Sequence, residues 1–243
     1  MHQTVNPLSR NLLLRGMSSE DLRLIAPDLE SIELERRFVL KRRRAPIDHV
    51  YFPTFGIASS VAYAGRDRRL EVGLFGWDGM SGGEVVMGDN RAVHECFMQI
   101  AGYGHRISSE SLCEAMDVSP TLRLFLLRFV LSQQVQTEHT ALANAQAQLE
   151  ERLCRWLLMC HDRVDGDVLE LTHEFISTML GVRRAGVTLA IHMLEGRGLI
   201  QAERGRIRVI DREGLEAGAG GIYGKPEAEF ERLVGISLTR STP

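Results

Sequence analysis

Leu171-Thr172-His173-Glu174-Phe175-Ile176-Ser177-Thr178-Met179-Leu180-Gly181 is the stretch on which the fold turns. Thr172 is a good helix N-cap, because its hydroxyl can accept from an unpaired N–H of the first turn. Phe175, Ile176, Met179 and Leu180 form one apolar face, and Gly181 ends the helix. A second helix runs from Arg183 or Arg184 to Leu194, with Val187, Ile191 and Leu194 inward. Past Gly196 and Gly198, residues 199–203 and 206–210 are extended runs joined by Arg204-Gly205, a hairpin with glycine at its turn. Helix, tight turn, helix and hairpin make a winged helix-turn-helix.

Charge points the same way. Between residues 183 and 208 six arginines stand against Glu195 and Glu203, a local net charge of +4 in a chain whose total is -3. The remainder therefore carries -7. One cationic face on an acidic protein suits DNA, where phosphate neutralisation supplies most of the sequence-independent affinity. A sensor that had lost DNA readout is the alternative, and it gives the arginines no reason to cluster.

Upstream, residues 112–161 have helix-forming composition without glycine, and Pro120 sits where a first turn tolerates it. A long helix is expected there. Leu131, Val135, Glu138, Leu142, Ala145 and Leu149 are spaced four, three, four, three and four, the a/d seam of a two-helix coiled coil. From Ile32 to Ile107, short alternating runs (residues 38–40, 49–52, 58–63, 70–75 and 96–100) are punctuated by Pro53, Gly56, Gly65, Gly76, Gly79 and Gly82-Gly83. That texture predicts a β-roll or sandwich. Residues 12–29 carry helical spacing with a serine cap at Ser18 or Ser19. The expected class is α+β, with four parts: a β-roll sensor (1–118), a long dimerisation helix (119–149), a winged helix-turn-helix (150–216) and a glycine-rich tail (217–243). The tail reads as a linker followed by a short helix at 227–234.

Composition bounds the rest. With 243 residues, 44% apolar and 25% charged, the chain is of the ordinary folded class. Cys96, Cys113, Cys154 and Cys160 are widely spaced and form no Cys-x-x-Cys pair, which reads as reduced thiols in cytoplasm. Met1 to Arg10 has no signal-peptide core, and the apolar run 122–131 is too short and too charged to span a membrane. No enzyme is expected. Gly76-x-x-Gly79-x-x-Gly82-Gly83 lacks the Lys-Ser/Thr of a phosphate loop, and no nucleophile stands with an ordered base.

The residues resemble the CRP/FNR family of bacterial transcription regulators. The likeness lies in Leu171 through Val187, Leu194-Glu195-Gly196-Arg197-Gly198-Leu199-Ile200 and the wing Arg204-Gly205-Arg206-Ile207. In the amino-terminal half it lies in Val50-Tyr51-Phe52-Pro53, Gly56-Ile57, Glu71-Val72-Gly73 and Trp77 through Gly82. The resemblance implies a cyclic-nucleotide-binding-like roll, a homodimer on a pseudo-palindromic operator, and RNA polymerase as a partner. It places Thr172 and His173 on phosphate and Arg184 on guanine, where a guanidinium forks onto O6 and N7. Arg183 and Thr188 are the expected companion readers, with Arg204 and Arg206 on the wing. Ala185 and Leu189 depart from the pattern, so the operator should differ from the family's best-known sites.

For an effector, the resemblance implies a pocket at Gly83, Glu84, Arg91, Val93, His94, Thr137 and Glu138. Cyclic AMP is disfavoured: Val93-His94 stands where members that bind it carry Arg-Ser, and Glu138 would repel an anion. The effector stays unidentified, and regulation without a ligand remains open. An iron-sulfur cluster is disfavoured in a chain with no cysteine before Cys96, and neither a metal nor a resident cofactor is expected. The basic run Arg36-Arg37 and Lys41-Arg42-Arg43-Arg44 reads as a solvated edge that discourages sheet aggregation, with a polymerase contact as its functional rival.

Overall fold

A computed structural model describes residues 10–65 and 68–238. The stretch read for a secretion signal lies outside these residues up to residue 9, as do residues 239–243 of the tail. The helical segment expected at 12–29 is divided into α1 (Leu12–Gly16), α2 (Ser19–Ile25) and a 3-10 turn (Ala26–Asp28). The division follows from two caps. The Asn11 side chain accepts from the N–H groups of Leu13 and Leu14, and the Ser18 hydroxyl accepts from that of Asp21.

Seven strands build the roll: β1 (Glu30–Leu34), β2 (Val39–Lys41), β3 (His49–Pro53), β4 (Ile57–Ala64), β5 (Arg68–Phe75), β6 (Glu95–Ile100) and β7 (Gly102–Ser108). They form two antiparallel sheets, ordered β1-β7-β3 and β2-β6-β4-β5. Where β6 gives way to β7, a Cβ on Gly102 would collide with the Phe55 carbonyl, so only glycine lets the two backbones meet. A short helix, α3 (Gly83–Val86), follows β5.

The continuous helix expected at 112–161 is three helices: α4 (Ser109–Val118), α5 (Pro120–Gln146) and α6 (Leu149–His161). Ser119 caps α5, with Pro120 at its first position. A second break comes at Ala147, whose backbone is extended; Gln148 then opens α6 with a capping box to Glu151. Leu149 therefore belongs to α6. It packs into its own domain against Gly186 rather than extending the seam.

Next come β8 (Val168–Leu169), α7 (His173–Leu180), α8 (Arg184–Gly196), β9 (Ile200–Glu203) and β10 (Arg206–Val209), then α9 (Arg212–Gly218) and α10 (Lys225–Val234). The wing has three strands, ordered β8-β10-β9, one more than the expected hairpin.

Two features revise the division into four parts. Ile57, Val61 and Leu74 of the roll lie in one apolar cluster with Leu153, Leu157, Leu158, Ile176 and Leu180, so roll and helix-turn-helix share a core. The tail is not a free linker. Phe230, Val234 and Leu238 are buried with Leu12, Leu13, Leu14, Leu122, Leu126 and Phe129, so the carboxy-terminal segment completes the amino-terminal core. Burial of that apolar face orders a segment whose glycines alone would argue for flexibility.

Candidate nucleic-acid interface and sensor cavity

The Thr172 hydroxyl accepts from the Phe175 N–H and starts α7, and Gly181 closes it with a left-handed φ of 64°. Arg183 precedes α8 in extended conformation and Arg184 is its first residue, so both guanidinium groups leave the helix start for solvent. His173 Nδ1 lies 3.2 Å from Thr188 Oγ1, which ties the start of α7 to the outer face of α8. Burial, followed by Arg184 and His192, holds the His173 imidazole below its ordinary pKa, which favours the neutral ring.

Arg204 and Gly205 of the wing face Thr172, His173 and Arg184 across an open groove of about 480 Å³. Four of the expected DNA residues, Thr172, His173, Arg184 and Arg204, are thereby brought together by α7, α8 and the wing turn. Arg206, on β10, lies beside Glu170 at 3.4 Å, an exposed pair that phosphate can compete for. Arg183, Arg184 and Arg204 are exposed and form no ion pair among the described residues. On α8, Ala185, Leu189 and Met193 make an outward apolar stripe beside the arginines, and Leu189 is 62% exposed. Leu189 was legible only as a missing arginine; its exposure makes it a surface in its own right.

On α5, Leu122, Leu126, Phe129, Ser132, Gln136 and Ala143 are buried. The opposite side exposes Leu124, Leu127, Leu131 and Leu142, with Glu138 and Ala145 also exposed and Val135 half-buried. From Leu131 to Ala145 the stripe keeps the expected four-three spacing; Leu124 lies one heptad earlier, and Leu127 sits one position off the alternation.

A cavity of about 460 Å³ lies between β5, α3 and α5. Gly83, Glu84, Val93, His94 and Thr137 line it, as the resemblance implied. Arg91 and Glu138 do not. Arg91 is exposed and donates from Nε to the Arg44 carbonyl, while Glu138 faces solvent and accepts from Gln134 Nε2. Sequence reasoning missed Lys41, Gln133 and Gln134. Lys41 sat inside a run read as a solvated edge, yet its Nζ is 2.5 Å from Glu84 Oε1 and both side chains are largely buried. Burial, then the Lys41 charge, lowers the His94 pKa.

The two halves meet through a buried polar chain. Glu71 Oε1 accepts from Trp156 Nε1 at 2.7 Å, and its Oε2 is 2.6 Å from Ser59 Oγ. Ser59 Oγ is also 2.6 Å from Gln99 Oε1, and Gln99 Nε2 donates to Cys160 Sγ. One hydroxyl proton cannot serve both Glu71 and Gln99. A protonated Glu71 that donates to Ser59 satisfies every oxygen, and burial indeed pushes its pKa up to about 7. Burial also raises the Cys96 thiol to about 12 and Cys154 to about 11, so neither is a ready nucleophile. Among the described residues no group of three or more His, Cys, Asp or Glu could hold a metal, and no helix is long and apolar enough to cross a membrane.

Comparison with known proteins agrees with this arrangement. Residues 151–217 match the Crp-like helix-turn-helix domain. FixK2 of Bradyrhizobium japonicum is 17% identical, with a TM-score of 0.68 over 78% of this chain and 96% of its own. A CRP-family transcriptional regulator of Thermus thermophilus, TTHB099, is 20% identical, with a TM-score of 0.64 over 78% of this chain and 97% of its own. The c-di-GMP-responsive global regulator CLP of Xanthomonas campestris is 18% identical, with a TM-score of 0.62 over 79% of this chain and 99% of its own. At these identities the likeness is one of fold. No curated protein sequence matches the chain.

Proposed function

We propose that this protein, a CRP/FNR-type transcription regulator by its Crp-like helix-turn-helix domain and its fold, binds a pseudo-palindromic DNA site as a homodimer. It acts in the cytoplasm by binding, not as an enzyme, with RNA polymerase as its protein partner. The observation that carries the reading is the set of unpaired Arg183, Arg184 and Arg204 around the start of α8 and the wing, exposed together on an otherwise acidic chain. Such a surface supplies phosphate neutralisation, and the start of α8 supplies a guanidinium to a base edge. The exposed Leu124, Leu127, Leu131 and Leu142 stripe supports pairing through α5, since a coiled-coil seam buries such a row. Twofold pairing sets half-site centres about 34 to 36 Å apart.

The cavity beside α5 argues against cyclic AMP. No arginine lines it among the described residues, and its one lysine is already neutralised by Glu84. A small ligand with less charge suits it better, unless control is ligand-free. A panel of cyclic nucleotides in a thermal-shift assay tests this: a large rise in Tm with cyclic AMP would reverse the ranking.

The decisive experiment selects genomic fragments on the purified protein and titrates the winning site with wild type and Arg184→Ala. The variant should lose about 1 to 3 kcal/mol and relax one base position in each half-site. Equal weakening on all DNA would contradict base readout.

A further inference from the structure

Two arginines of α6 lie in the seam between the roll and the helix-turn-helix half. Arg155 is 5% exposed and Arg152 is half-buried. Both line a small cavity of about 20 Å³, closed by Glu71 of β5, Thr140 and Asn144 of α5, and Met179 and Leu180 of α7. Among the described residues Gly73 alone lines both this cavity and the larger one beside α5. Each guanidinium is only partly satisfied. Arg152 Nη2 donates to the Leu180 carbonyl, and Arg155 Nη2 donates to Thr140 Oγ1 at 3.2 Å and reaches the Gln136 carbonyl at 3.5 Å. The Nε–H of each is buried without an acceptor among the described residues.

We infer that Arg152 and Arg155 hold a small monovalent inorganic anion, of halide size, in the seam between the roll and the helix-turn-helix half. Neither arginine forms an ion pair among the described residues, and the neighbouring acids are engaged elsewhere. Glu151 accepts from the Gln148 N–H, Glu227 from the Gly224 N–H, and Asp78 is held by Arg163. Glu71 lines the cavity, yet the proton that its bond to Ser59 requires leaves it without charge. Burial pulls both guanidinium pKa values down, opposed at Arg155 by Glu227 and, once it is ionised, by Glu71. Arginine keeps its proton even so, and a buried pair of guanidinium groups is costly without a counter-ion. A water molecule would meet the spare donors but not the charge. The space takes one particle of about water size, which suits a halide and excludes a phosphate ester or a longer carboxylic acid. Met179 and Leu180 close the cavity directly before the Gly181 turn, so the ion fastens the end of α7, and with it the start of α8, to β5 and α5.

The test melts the full chain at pH 6, where Glu71 keeps its proton, while sodium chloride replaces sodium gluconate at constant ionic strength. Gluconate is too large for the cavity, so the exchange varies the halide and not the screening. Wild-type Tm should climb by about 3 °C along a saturating curve, and bromide should give the same rise. In Arg155→Met the curve should be flat. That variant should also melt no lower than wild type in gluconate, because it removes a buried charge that lacks its partner. A second measurement does not depend on any variant: a wild-type crystal grown in sodium bromide should show an anomalous peak within hydrogen-bond distance of Arg152 and Arg155. Equal wild-type Tm in chloride and gluconate would overturn the site. So would a chloride curve that survives in Arg155→Met, which would put the ion elsewhere, and so would a bromide crystal with only water between the two arginines.

Discussion

Arg163 grips Asp78 with two parallel hydrogen bonds, Nε to Oδ1 at 2.9 Å and Nη2 to Oδ2 at 2.6 Å, with both side chains sealed from solvent. Asp78 belongs to the turn after β5 and Arg163 follows α6, so the pair joins the roll to the helix-turn-helix half. Asp78 also accepts from the Gly76 N–H, and Arg163 donates to the Met159 carbonyl. Removing one partner strands a buried charge, and Asp78→Ala should cost about 3 to 5 kcal/mol in urea unfolding. Asp78→Leu combined with Arg163→Met should recover much of that loss. A double variant no better than the single would show that the pair contributes net stability.

Glu71 makes stability depend on pH in a direction opposite to most carboxylates. Its folded pKa of about 7 lies above the ordinary 4.5, so between those values the folded state holds a proton that the unfolded state has released. Stability therefore falls as pH rises from about 4.5 to about 7, by an amount on the order of 3 kcal/mol once fully developed. Glu71→Gln should flatten that part of the profile. Melting curves from pH 5 to pH 8 that leave wild type and variant parallel would show that Glu71 is ionised in the fold throughout.

Leu189 presents a methyl-sized apolar contact where the major groove offers thymine C5-methyl groups. Replacing thymine by deoxyuridine at single positions of the selected site should weaken binding about tenfold at one position per half-site, on the order of 1 kcal/mol. Leu189→Ala should be insensitive to the same change. If no thymine-to-uracil replacement alters wild-type affinity, Leu189 does not read a methyl group.

Phe230 lies 3% exposed among residues of the first helices and α5. Phe230→Ala should lower global stability by about 3 to 5 kcal/mol, far more than a tail residue would. Chemical denaturation followed by fluorescence and by circular dichroism measures it, and a change below about 1 kcal/mol would mean that α10 docks only loosely.

The reading half of the molecule was legible because its signals are local. Thr172 caps, Gly181 turns, and the arginines cluster within a few residues of one another, so neither long-range packing nor a partner is needed to see them. The exposed row on α5 was legible for the same reason, up to the point where an extended Ala147 ended the helix and turned Leu149 inward. What the sequence hid depends on distant pairing. Lys41 belongs to the cavity beside α5 only because β2 brings it to Glu84, across forty-three positions of chain. β8 pairs on two residues, too few for any periodicity. The tail's apolar residues, Phe230, Val234 and Leu238, are sparse among glycines and charges, and only the surface they meet shows that they are core.

That return of the tail bears on how the protein is made. Leu12 to Leu14 leave the ribosome long before Phe230 to Leu238, yet they share one core. A nascent roll can pair its strands early, but it cannot close its apolar interior until α10 has been made. Through synthesis, the face of α5 that α10 will cover stays open to other chains, as does the exposed leucine row on the opposite face. Assembly in the right order thus depends on α10 arriving before a neighbour does.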